Sequence, residues 1–95
     1  MADGPLYEVR FRAEVVLKEE HDLLTREQQR DVIHRLETHP ERGKPLSGLL
    51  KGWFRHRVGD VRVVYEIENA AHVVVIVAIG RRRDSEVYNI ASKRR

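Results

Sequence analysis

The side chains that could do chemistry in this chain are mostly arginines. Arg55, Arg57 and Arg62 sit close together, Arg81, Arg82 and Arg83 form a run, and Tyr88 follows a few residues on. The first three belong to Trp53 to Tyr65, which reads as a β-hairpin, because Val58-Gly59-Asp60-Val61 is a two-residue loop with Gly first. That loop fixes the register: Val58 faces Val61, Arg57 faces Arg62, His56 faces Val63, Arg55 faces Val64 and Phe54 faces Tyr65. Side chains alternate between the two faces of a strand. Phe54, His56, Val58, Val61, Val63 and Tyr65 therefore share one face, while Arg55, Arg57 and Arg62 share the other around Val64. Like charges directly opposite one another cost stability, so the cationic face suits a polyanion better than it suits the fold. With Arg82 and Tyr88 brought alongside, such a set would bind consecutive phosphates, stack a base on Tyr88 and stabilise a phosphoryl transition state. The competing reading is a solvated cationic face beside a core-packed tyrosine.

Other chemistries lack their residues. There is no cysteine, which removes disulfides, thiolate nucleophiles and zinc ribbons. The five histidines are scattered, with no H-x-x-x-H pair or compact His/Asp/Glu cluster, so no metal site is expected; His34, His39 and His72 read as solvated. His56 is expected to turn toward the core as a structural histidine. Neither a P-loop nor G-x-G-x-x-G occurs, and no carboxylate pair is placed for acid/base work.

The elements that must position the arginines follow from periodicity. Met1 to Pro5 reads as a flexible leader, and Tyr7 to Arg12 alternates as a strand with one buried face. Val16, Leu17, Leu23 and Leu24 predict a first helix from about Ala13 to Leu24. Thr25 and Gln28 form a capping box that opens a second, with Val32, Ile33 and Leu36 as its apolar stripe and Pro40 as its end. Glu41 to Gly52, rich in Gly and Pro, reads as a loop with Leu46, Leu49 and Leu50 pinned to the core. After the hairpin, Val73 to Ile79 is a continuous β-branched run, expected to be buried on both faces near the middle of the sheet. Ser85 can cap a last helix reaching about Lys93. The expected fold is α+β: an N-terminal strand, a helical hairpin, a three-stranded antiparallel meander completing one sheet, and a short C-terminal helix. The helical hairpin covers one sheet face, and the face with Arg55, Arg57 and Arg62 is expected to stay open.

Residues 1–95 are sized for one domain with a modest core. The net charge of +3 divides unevenly: residues 1–41 hold 6 Lys/Arg against 10 Asp/Glu, a net −4, and residues 42–95 hold 12 against 5, a net +7. The positive field thus belongs to the C-terminal half, where it would steer phosphate-bearing partners. The longest apolar run is far short of the roughly 18 residues of a membrane span, and no signal-peptide core is present. A cytoplasmic protein without a membrane partner is expected.

Leu46-x-Gly48, Gly52-Trp53-Phe54-Arg55-His56-Arg57-Val58-Gly59-Asp60-Val61-Arg62-Val63-Val64-Tyr65, the Val-rich strand and Gly80-Arg81-Arg82-Arg83-Asp84-Ser85-Glu86-Val87-Tyr88 together resemble the RelE/ParE toxin superfamily. The hairpin motif is common to the superfamily, and the Arg-x-x-Ser-Glu-Val-Tyr tail is similar to its RelE branch. The resemblance implies a toxin of a toxin-antitoxin module, a metal-independent endoribonuclease with no cofactor. It would enter the ribosomal A site and cleave mRNA through attack of a 2′-hydroxyl on the adjacent phosphate. It implies catalytic roles for Arg55, Arg62, Arg82 and Tyr88, and RNA-binding roles for Lys51, Arg57, Arg81 and Arg83. Arg55 falls where RelE has a lysine, and Trp53 where RelE has a second one. The implied partners are the ribosome, mRNA and a cognate antitoxin, RelB-like or another acidic, DNA-binding protein. The superfamily leaves two alternatives, a ParE-like DNA gyrase inhibitor and an attenuated, noncatalytic RNA- or partner-binding member.

Overall fold

The computed structural model describes residues 6–81 and 86–95. Its first strand, β1 (Glu8–Phe11), shows the expected alternation, with Val9 and Phe11 turned inward and Glu8 and Arg10 outward. The expected first helix is broken. Helix α1 covers Ala13–Leu17, Glu19 takes a left-handed φ of 55°, and a 3-10 turn follows at Glu20–Leu23. The break rotates the apolar stripe, so that Val15 is fully buried while Val16 and Leu17, predicted as core, are 51% and 79% exposed. Helix α2 (Arg26–Thr38) begins as predicted: Gln28 donates its backbone N–H to Thr25 Oγ1 at 3.1 Å, and Gln28 Oε1 accepts from the Thr25 N–H at 2.9 Å. Val32 and Leu36 are buried, Ile33 only half so, and Pro40 follows the helix end.

The predicted loop from Glu41 to Gly52 carries more structure than its composition suggests. Lys44–Pro45 forms a short strand, β2, paired with the next strand, and Leu50 is buried while Leu49 is exposed. Then come β3 (Trp53–Val58), β4 (Val61–Glu68) and β5 (Val73–Arg81), and finally α3 (Glu86–Lys93). The hairpin register is the predicted one at every pair from Val58 with Val61 to Phe54 with Tyr65, and Gly59 supplies the positive φ of 58° that the loop needs.

The sheet order is β1-β5-β4-β3-β2, with β1 parallel to β5 and the other pairs antiparallel. β5 is interior and nearly all buried, as its β-branched run predicts. One sheet face holds a core of Val15, Leu24, Val32, Leu36, Val63, Tyr65 and Ile76 beneath α1 and α2. The other face holds a second, smaller core of Leu50, Trp53, Val64, Ala78, Val87 and Ala91 beneath α3. The arginine face is therefore not open: α3 lies over part of it, because Val64, Ala78 and Trp53 offer apolar surface between the charges.

Tyr65 anchors the larger core. Its hydroxyl donates to the Pro40 carbonyl at 2.5 Å, and burial pushes its pKa up to about 12. The unfolded phenol titrates near 10, so the folded protein holds its proton longer. Stability from this group is full below about pH 10 and falls as pH rises to about 12. A series of denaturant melts is expected to show this alkaline slope, and Tyr65→Phe to flatten it.

Candidate nucleic-acid interface

The cationic side chains are set out by the rows of the sheet. Arg57 pairs directly with Arg62, which pairs with Gly80, and Arg55 pairs with Val64, which pairs with Ala78. Helix α3 is brought down onto these rows at Gly80, where an added Cβ would come within 2.8 Å of Val87 Cβ. Only a residue without a side chain allows so close a crossing. The same docking carries Tyr88 to β3: the Arg55 guanidinium donates to Tyr88 Oη at 3.4 Å, with the ring half-buried at the edge of the smaller core. Arg55 Nε is buried and has no hydrogen-bond partner among the described residues. Two of the predicted site residues are thus in contact although they lie far apart in the chain.

The others are placed differently. Arg62, expected on an open surface, is only 3% exposed, and its guanidinium donates to the carbonyls of Gly59 at 3.0 Å and Val61 at 3.2 Å. It braces the hairpin turn, and its burial corrects its predicted exposure. Arg57 and Lys51 are exposed. Arg81 is exposed at the end of β5 and pairs with Asp60 at 3.2 Å, next to the same turn. Arg82 and Arg83, and the predicted cap Ser85, lie outside the described residues. His56 is half-buried toward α2 as predicted, and burial, with the nearby Arg35 charge, pulls its pKa below the usual imidazole value. Among the described residues no group of three or more His, Cys, Asp or Glu is placed to hold a metal ion, and no helix is long and apolar enough to cross a membrane.

Several positioning residues have no local sequence signal. Trp53 is buried, donates its indole N–H to Glu66 at 3.1 Å, and carries the Arg95 guanidinium 4.9 Å over its ring. Arg95 also donates to the Leu49 carbonyl at 3.0 Å, tying the chain end to the loop that holds Lys51. Glu20 and Arg94 form an ion pair whose side chains are 10% and 7% exposed. Glu20 accepts the backbone N–H of Ile79 at 3.1 Å, and Arg94 donates to the Val77 carbonyl at 2.9 Å. Val77 is the residue left over where the β4–β5 register shifts between Val64 and Tyr65. The pair thus satisfies the bulged part of β5 beyond the end of β1 and clamps α3 there. Of the residues that seat α3, Gly80 alone carries a local signal that could have been read, an isolated glycine at the end of a β-branched strand.

Comparison with known proteins bears on the family and the fold. The family model described as "ParE toxin of type II toxin-antitoxin system, parDE" matches residues 10–86. A stretch of 43 residues is 49% identical to the toxin RelE of Mycobacterium tuberculosis, covering 45% of this chain and 44% of that relative, so the match spans less than half of its length. The crystal structure of the toxin-antitoxin complex RelBE2 from M. tuberculosis contains a chain 32% identical, with a TM-score of 0.69, covering 88% of this chain and all of that one. A double mutant of the E. coli toxin RelE in the free state is 26% identical, with a TM-score of 0.74, covering 94% and 97%. A hairpin of predicted register, a five-stranded sheet with helices on both faces, and matches over most of the chain leave one assignment: the protein belongs to the ParE toxin family, within the RelE/ParE toxin superfamily.

Proposed function

We propose that this protein is the toxin of a toxin-antitoxin module and acts as a ribosome-dependent endoribonuclease of the RelE type, cleaving mRNA in the A site through attack of a 2′-hydroxyl. The observation that carries the reading is the contact of Arg55 with the Tyr88 hydroxyl on a basic surface. A guanidinium held on a tyrosine rim presents both a phosphate donor and an aromatic face for a base. The buried Arg55 Nε adds to this, since a donor left unpaired costs about 1–3 kcal/mol, which a phosphate oxygen would offset once the guanidinium turns to meet it. In this reading Arg55 and Arg62, with Arg82, stabilise the developing charge, and Tyr88 orients the codon. Lys51, Arg57, Arg81 and Arg83 hold the flanking backbone. Guanidinium groups keep their protons in proteins, so catalysis would rest on charge stabilisation more than on proton transfer, with no metal. Ribosomes and mRNA place the activity in the cytoplasm. The partner that restrains it is an acidic antitoxin, drawn by the +7 half; the M. tuberculosis relative of similar fold is a toxin-antitoxin complex.

The matched family model is that of ParE toxins, which supports a second reading, a gyrase inhibitor with no nuclease activity. A translation extract separates the two. The RelE reading expects codon-positioned cuts in ribosome-bound mRNA and no effect on supercoiling by gyrase. Intact mRNA with supercoiling lost would establish the other.

A further inference from the structure

The opposite sheet face holds a second basic feature, independent of the Tyr88 site. Between α2 and the β3–β4 hairpin lies a cleft of about 460 Å³, a size in the range of small-molecule sites. Its wall includes Asp31, His34 and Arg35 from α2, His39 and Arg42 from the turn that follows, and His56 from β3. Some of the described arginines are paired with a carboxylate and others are not. Arg10, Arg12, Arg81 and Arg94 each have a carboxylate within ion-pair distance. Arg35 and Arg42 have none among the described residues, although Asp31 precedes Arg35 by one helical turn and Glu41 precedes Arg42. Glu41 is turned instead to His39, at 3.5 Å. The Arg35 charge reaches His56 and Tyr65 beneath it. Two guanidinium groups without a carboxylate partner among the described residues thus line one concavity with three imidazoles, and Asp31 lies in the same wall.

We propose that this cleft is a phosphate-binding site. Arg35 and Arg42 supply the charge, and His34, His39 and His56 line the space for one phosphate group, carried either by a free anion or by an RNA backbone. Guanidinium forks suit phosphate oxygens, and a neutral imidazole still offers one N–H donor. The site lies across the sheet from Arg55 and Tyr88, so it would hold a phosphate at a distance from any cleavage.

The test follows the imidazole NMR signals of the full chain during titration with inorganic phosphate, and separately with a short single-stranded RNA. Phosphate is expected to shift the His34, His39 and His56 signals saturably and to leave His72 in place. Arg35→Gln and Arg42→Gln, both at exposed positions, are each expected to weaken binding about tenfold or more, with amide dispersion confirming the fold. If the three rings move at much lower concentrations of RNA than of phosphate, the phosphate belongs to a nucleic acid; if only inorganic phosphate moves them, it is a small anion. The proposal is overturned if neither ligand moves these rings, or if both move them equally in the doubly substituted protein.

Discussion

Tyr88→Ala is expected to slow cleavage of ribosome-bound mRNA about 100-fold or more under single-turnover conditions. Two losses combine in that figure. Stacking a base on an aromatic ring is worth about 1–3 kcal/mol, and a hydrogen bond to a charged group about 1.5–3 kcal/mol. The variant removes both the ring and the hydroxyl that Arg55 holds at 3.4 Å. Tyr88→Phe keeps the ring and loses the hydroxyl, so it is expected to fall between the parent and the alanine variant. The ring is half-buried at the rim of the smaller core, so both variants are expected to fold. Arg55→Lys is expected to raise the rate, because an ammonium keeps the charge and can also give up a proton. An alanine variant within threefold of the parent rate would remove Tyr88 from the site, and an unchanged rate for Arg55→Lys would mean that proton transfer at that position does not limit the reaction.

The largest stability effect is expected at the clamp on α3. Glu20→Ala leaves the Arg94 guanidinium buried without its carboxylate and strips Ile79 N–H of its acceptor. Removing one partner of a buried ion pair costs about 3–5 kcal/mol, and in a domain of this size each kcal/mol lowers Tm by about 4–8 °C. Thermal and urea melts are therefore expected to show a drop of at least about 12 °C. Replacing both partners by leucine is expected to recover only part of the loss: no uncompensated charge remains, but the Ile79 N–H and the Val77 carbonyl still lose their partners. A single substitution costing under about 1 kcal/mol would show the pair to be solvated in practice. The same variants test how Tyr88 is positioned: if the clamp sets the seat of α3, Glu20→Ala lowers cleavage at temperatures where the protein is still folded.

How much of this was legible in the sequence depended on the range of the interaction. The Gly59-Asp60 loop set the hairpin register for six residue pairs, because a two-residue loop leaves the strands no freedom to slide. Thr25 and Gln28 announced the start of α2, and the β-branched run of β5 announced an interior strand; each signal lies within a few residues of its effect. Which arginines share a face followed from strand alternation alone. What covers that face did not. α3 settles there because Gly80 admits Val87 and because Glu20 and Arg94, 74 residues apart, close over a bulge that no local pattern marked. Arg62, which the sequence placed in the open, is buried, and the docking of α3 puts Tyr88 on Arg55, which the sequence could only bring into the same neighbourhood. Hydrogen-bonding and steric rules between near neighbours act on any chain that contains them. The burial of a charge and the seating of a helix are decided by partners that meet only in the folded protein.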